Sequence, residues 1–178
     1  SVAEEGGDDD TATDKVTKQA EVTAGDFIIR QLLTKLSGYA FEELVAHLLE
    51  CMGYTARVTQ RSGDGGVDVI AHRDKLGFEP PIIKVQCKRK TDPVPNTEVN
   101  QLHGTLGEGE YGLFISLGSF TRQARDLAST RPKLRLIEGT QFVELLMEHY
   151  NQLSPSYRSL IPLKQIYVPD LGNTPSPS

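Results

Sequence analysis

Two stretches decide the reading of this chain: RSGDGGVDVIAHRD at 61–74 and IIKVQCKRK at 82–90. The first runs from a glycine-rich loop into the short alternating segment VDVIA, a strand pattern. It carries two aspartates. Asp64 sits among glycines and reads as an Asx-turn residue. Asp68 stands where the strand begins, between Val67 and Val69, and a carboxylate there needs a partner. The second stretch supplies one. As a strand it sends Ile83, Val85 and Cys87 to one face and Lys84, Gln86 and Lys88 to the other. If the two strands are antiparallel neighbours, Asp68 faces Gln86, and Lys88 leaves the same face one step further on.

A carboxylate, an amide oxygen and an ammonium at one point of a sheet suit metal-assisted hydrolysis of a phosphodiester. Mg²⁺ takes hard oxygen ligands and keeps several waters. Asp68 would be the anionic ligand, with Gln86 Oε1 and the backbone carbonyl of Cys87 as neutral ones. Lys88 would sit where an attacking water forms, lowering its pKa or steadying charge at the phosphate. A further carboxylate is expected from FEELVAHLLE, which offers Glu42 and Glu43. Taken singly, Asp68 reads equally as a cap for loop amides and Lys88 as an ion-pair partner. Their common register with Gln86 favours the metal site.

Outward from this pair, YAFEELVAHLLECMGY (39–54) has the strongest helical stripe, through Phe41, Leu44, Val45, Leu48, Leu49 and Met52. DFIIRQLLTKLSG before it is a second helix. TARVTQ reads as a strand, TEVNQLHGTLGEG as a helix capped by Thr97, YGLFISLGS as a buried strand, and SFTRQARDLASTR as a helix. KLRLIEG is a strand ending at Gly139, and TQFVELLMEHYNQL is an amphipathic helix. The order α-α-β-β-β-α-β-α-β-α predicts an α/β fold, a mixed sheet with helices on both faces. Its domain spans 25–150. Residues 1–24 read as a disordered acidic tail or linker, and 151–178 as an extended tail.

The net charge of −5 is unevenly placed. Residues 1–24 hold seven acids and two bases, which leaves the rest of the chain neutral. Between 57 and 90 eight bases stand against four acids, a local excess that suits a polyanionic substrate such as DNA. Arg89 and Lys90, next to the site strand, and Arg122 and Arg125, after GSFT, are the phosphate-contact candidates, each also readable as a solvated surface charge. No apolar run approaches the roughly 18 residues of a membrane span. Two cysteines make no disulfide framework, so a reducing, cytoplasmic setting is expected. No His/Cys spacing suggests zinc, and His47 and His103 read as structural.

The blocks FEELVAHLLECMGY, SGDGGVDVIA, VQCKRK and GLFISLGSFTRQARDLA, in this order, resemble the catalytic domain of Mrr-like restriction endonucleases, a branch of the PD-(D/E)xK nucleases. The resemblance covers about residues 38–148 and implies a restriction-endonuclease-like central mixed β-sheet flanked by α-helices. It implies metal-dependent cleavage of DNA with Mg²⁺, or Mn²⁺ as its substitute, in defence against foreign or modified DNA. By position Asp68 matches the metal-binding aspartate, Gln86 the residue that is more often acidic elsewhere in the superfamily, Lys88 the catalytic lysine, and Glu42 the first-helix glutamate. Ser62 and the loop amides around it would lie along a phosphate. Cutting both strands implies a homodimer or larger assembly. Relatives often carry a separate DNA-reading domain. Residues 1–24 are too short and polar to be one, so it is expected outside this chain. Two rivals stand beside this reading: a DNA-binding module that does not cut, and a structure-selective junction or repair nuclease.

Overall fold

The computed structural model describes residues 7–60 and 66–168, with side chains from Thr11 onward. Five strands form one sheet in the order β1 (Thr55–Val58), β2 (Val69–His72), β3 (Ile82–Lys88), β4 (Glu110–Ser116) and β5 (Leu134–Ile137). The first three are antiparallel neighbours, and β3, β4 and β5 run parallel. The sheet is therefore mixed, as expected. The parallel half is built from crossover helices, α3 (Asn96–Gly104) before β4 and α4 (Arg122–Ser129) before β5.

Helices cover both faces. Against one lie α1 (Gly7–Lys35), α2 (Gly38–Cys51) and α5 (Gly139–Glu148), whose Ile28, Leu32, Phe41, Leu44, Phe142 and Leu146 are fully buried on Val69, Ala71 and Val85. Against the other lie α3 and α4, where Val99, Leu102 and Ala124 pack on Phe114 and Leu134. The alternation of β3 sets this up. Ile83, Val85 and Cys87 face the larger core, and Lys84, Gln86 and Lys88 face the α3 side. Ser37 caps α2, its Oγ accepting the Ala40 amide at 3.1 Å, and so fixes where Phe41 and Glu42 enter the fold.

Four expectations need correcting. Residues 7–24, read as a disordered tail, are the first part of α1. That half has no apolar stripe to signal a helix. Its Ala, Gln, Lys and Glu are good helix formers, however, and growth from a turn already docked at Ile28 and Leu32 avoids the cost of nucleation. The segment after 150 is not wholly extended. A 3₁₀ turn at Tyr150–Gln152 leads into α6 (Pro155–Leu160), and Leu153 and Ile161 are buried. Thr97 is not the cap of α3: Pro95 occupies that position, with no side-chain bond. Gly139 opens α5 rather than closing β5, which ends at Ile137.

Candidate active site

Strand β2 begins at Val69, two residues into the VDVIA segment, and leaves Asp68 at its mouth. The register pairs Val69 with Val85, so its continuation puts Asp68 opposite Gln86. The Asp68 amide donates to Val85 O at 2.8 Å. Where the ladder ends, the side chain takes over: the Cys87 amide donates to Asp68 Oδ2 at 2.7 Å. Thr59, just past β1, holds the same segment from the other side. Its amide donates to Asp68 O at 2.9 Å and its Oγ1 to Val67 O at 2.7 Å. The aspartate is thus set by two strands rather than by a loop.

Burial raises the Asp68 carboxyl above its ordinary range, and the Cys87 amide and the Lys88 charge offset this only in part. Lys88 is not in ion-pair contact with Asp68. Its Nζ donates to Glu98 Oε2 on α3, at 2.7 Å. Gln86 lies between them in the strand. Its Oε1 is buried and has no hydrogen-bond partner among the described residues. Gly66 makes room for this amide, because a Cβ there would lie 2.9 Å from Gln86 Nε2.

Glu42 is half-buried on α2. Burial first, then the charges of Asp68 and Glu42, push the Cys87 thiol well up, so both carboxylates act on this point of the strand. Glu43 does not share it. Glu43 is exposed and its charge acts on Tyr157 of α6. Cys87 itself packs against the larger core.

The basic candidates divide. Lys90 is exposed, and Arg122 is exposed in the first turn of α4, 3.9 Å from Asp126. Arg89 serves the fold, its guanidinium donating to Leu33 O at the end of α1. Arg125 does likewise, donating to Phe120 O at 2.7 Å and pairing with Glu138. Ser62 and Asp64 lie outside the described residues. Sequence reasoning missed Glu98 and Thr59. An acid in the first turn of a helix is ordinary dipole chemistry, and a threonine after a strand carries no signal at all.

The donor set fits a hard divalent cation. Among the described residues no three of His, Cys, Asp and Glu converge as metal ligands, and a set in which one ligand is the Gln86 amide would not show as such a cluster. A buried amide oxygen left without a donor costs about 1–3 kcal/mol, which a cation would offset. The same cation would balance the desolvation of Asp68.

The restriction endonuclease family model for Mrr catalytic domains matches residues 33–146. The chain belongs to this family. Its curated relatives include the type IV methyl-directed restriction enzyme EcoKMrr of Escherichia coli K12. That protein is 33% identical over 158 residues, which are 85% of this chain and 50% of the relative. An uncharacterised mitochondrial protein of Schizosaccharomyces pombe is 26% identical over 82% of this chain and 60% of its own length. The chain therefore spans between half and three-fifths of the relatives it matches. Two solved restriction endonucleases share the fold. MspJI, solved with a 27-mer oligonucleotide, superposes with a TM-score of 0.55 and 22% identity over 79% of this chain and 35% of its own. AspBHI gives 0.58 and 18% over 74% and 36%. The Mrr-type core is thus a nuclease fold, with Asp68, Gln86 and Lys88 gathered at the end of the antiparallel β2–β3 pair.

Proposed function

We propose that this Mrr-type domain is a Mg²⁺-dependent DNA endonuclease that acts in restriction of foreign or modified DNA. The observation that carries the reading is the shared register of Asp68 and Gln86 with Lys88 beside them, Gln86 Oε1 being buried without a donor among the described residues. Asp68, Gln86 and Glu42 would hold the ion, with the Cys87 carbonyl as a further oxygen, and Mn²⁺ would serve in its place. The bound ion would supply Lewis-acid stabilisation of the scissile phosphate and a more acidic water.

The chain's own groups do the rest. The Cys87 amide fixes Oδ2 of Asp68, and Oδ1 would be the oxygen offered to the ion. Lys88 presents an ammonium whose protons face charge building on the phosphate oxygens. Lys90 and Arg122 are exposed and suit contacts to the flanking backbone. Preference for methylated or otherwise modified bases, which the names of EcoKMrr and AspBHI carry, would require reading elements outside this chain. A homodimer or larger assembly would bring two sites to the two strands.

The test is cleavage of plain, methylated and branched DNA, with Mg²⁺ or EDTA, beside Asp68→Ala and Lys88→Ala. Metal-dependent cutting of linear DNA lost in both variants supports the reading. Binding without cutting, unchanged by either substitution, overturns it in favour of a non-cleaving module. Preference for branched DNA points to the structure-selective class.

A further inference from the structure

Lys88 and Asp68 approach the same point of the sheet, and opposite charges so placed would ordinarily pair. They do not. The Lys88 ammonium is bound 2.7 Å from Glu98 Oε2, with both side chains about one-third exposed (33% and 28%). Glu98 is well fixed for this task. It stands in the first turn of α3, its amide bonded to Pro95 O, and its neighbour Val99 and Leu102 one turn on are fully buried under the sheet. A lysine side chain carries about 2 kcal/mol of rotamer entropy, so an anchor on a packed helix decides where its ammonium rests.

We propose that Glu98 is a positioning residue that holds Lys88 off Asp68, so that the carboxylate stays open to the metal while the ammonium stays presented to substrate. The role rests on the metal-dependent reading of the site. It follows from what removal of Glu98 would leave: a partly buried lysine on the same face of the sheet as the half-buried Asp68, one alternation along β3 from Gln86, which stands opposite that carboxylate. The two would pair, and the metal would have to break that pair to bind.

The test is Mn²⁺ titration by calorimetry on the full chain, for wild type, Asp68→Ala, Glu98→Ala, Glu98→Gln, Lys88→Met and the Glu98→Ala/Lys88→Met double variant. Loss of Glu98 weakens Mn²⁺ binding by about 10-fold, at the lower end of effects from groups behind metal ligands. The isosteric Glu98→Gln weakens it less and guards against a folding defect, which melting curves check. The deciding result is the double variant: with no lysine left to collapse onto Asp68, it binds Mn²⁺ as well as Lys88→Met alone. Equal binding by wild type and Glu98→Ala overturns the proposal, and so does a double variant as weak as Glu98→Ala. A wild type that binds no better than Asp68→Ala sinks instead the metal reading on which the proposal rests.

Discussion

Lys84 and Lys88 leave the same face of β3, one alternation apart on either side of Gln86, and each meets a glutamate. α3 serves both. Its first turn offers Glu98 to Lys88, and the carbonyl of Thr105, its C-cap, accepts from Lys84 at 2.7 Å. The two ends differ in what surrounds the pair. At the Lys84 end the pair closes on itself. The hydrogen bond from Lys84 holds the Glu110 carboxyl below its usual range. At the Lys88 end a second carboxylate, Asp68, stands outside the pair with its pKa pushed up, beside a buried amide oxygen that has no donor among the described residues. The same strand chemistry makes a staple at one end. At the other it leaves the place where the proposed cation would sit. Perturbation that the chain's described groups do not relieve separates the pair proposed to be functional from the structural one.

The largest effect should come from breaking the two lysines separately. Lys88→Ala is expected to lower the cleavage rate by about 10²–10³-fold with little change in melting temperature. Lys84→Ala should do the reverse, leaving the rate near wild type and costing about 1–3 kcal/mol of stability, because Glu110 loses its cation while partly buried. Single-turnover cleavage and urea unfolding of both variants check this. Similar rate losses in the two would mean that the ends are not distinct. Next in size is the effect of the ion. Mg²⁺ at about 100 times its Kd should stabilise the folded chain by about 2.7 kcal/mol. Asp68→Asn should lose that gain and Glu110→Gln should keep it, as thermal melts with and without Mg²⁺ will show.

The contrast between the ends also marks what the sequence could tell. The two strands and the shared face of Gln86 and Lys88 followed from alternation, because a period of two admits one buried face; the antiparallel sense, on which Asp68 facing Gln86 depended, came from the structure. The stripe of α2 offered Glu42 and Glu43 alike, and only the family resemblance chose Glu42. Glu98 was not legible: its link to Lys88 depends on where α3 lands on the sheet, a tertiary fact that no local pattern encodes. Arg89 and Arg125 misled for the matching reason. A basic residue beside a site looks like a phosphate contact until its carbonyl partners, Leu33 and Phe120, are seen. The first half of α1 was missed because low apolar content is the mark of disorder, while this helix is held only from its C-terminal end.

Two glycines give a smaller, matched test. Gly66 has φ +89° and lies against Gln86; Gly77 has φ +74°, and a Cβ there would be 3.3 Å from the His72 ring. Alanine at either should cost about 1–2 kcal/mol for the left-handed backbone. Only Gly66→Ala should also lower cleavage, by about 10-fold, since its Cβ displaces the Gln86 amide. Equal activity in the two alanine variants would remove Gln86 from the site.

The smallest expected effect is one of sign. Glu110 has a folded pKa below its ordinary 4.5. Its ion pair therefore adds stability that is fully present above that value and is lost as pH falls through the folded pKa. Glu110→Gln should be less stable than wild type by about 1 kcal/mol at neutral pH, a deficit that fades in acid. Asp68 runs the other way. Its folded pKa lies above its ordinary 3.8, so the native state binds the proton more tightly and loses stability as pH rises through that range. In EDTA, Asp68→Asn should match wild type in acid and exceed it at neutral pH. Urea unfolding across this range reads both differences in one series. Curves of the same sign would mean that Asp68, like Glu110, already has its counter-charge within the chain, and the cation would then have nothing to balance.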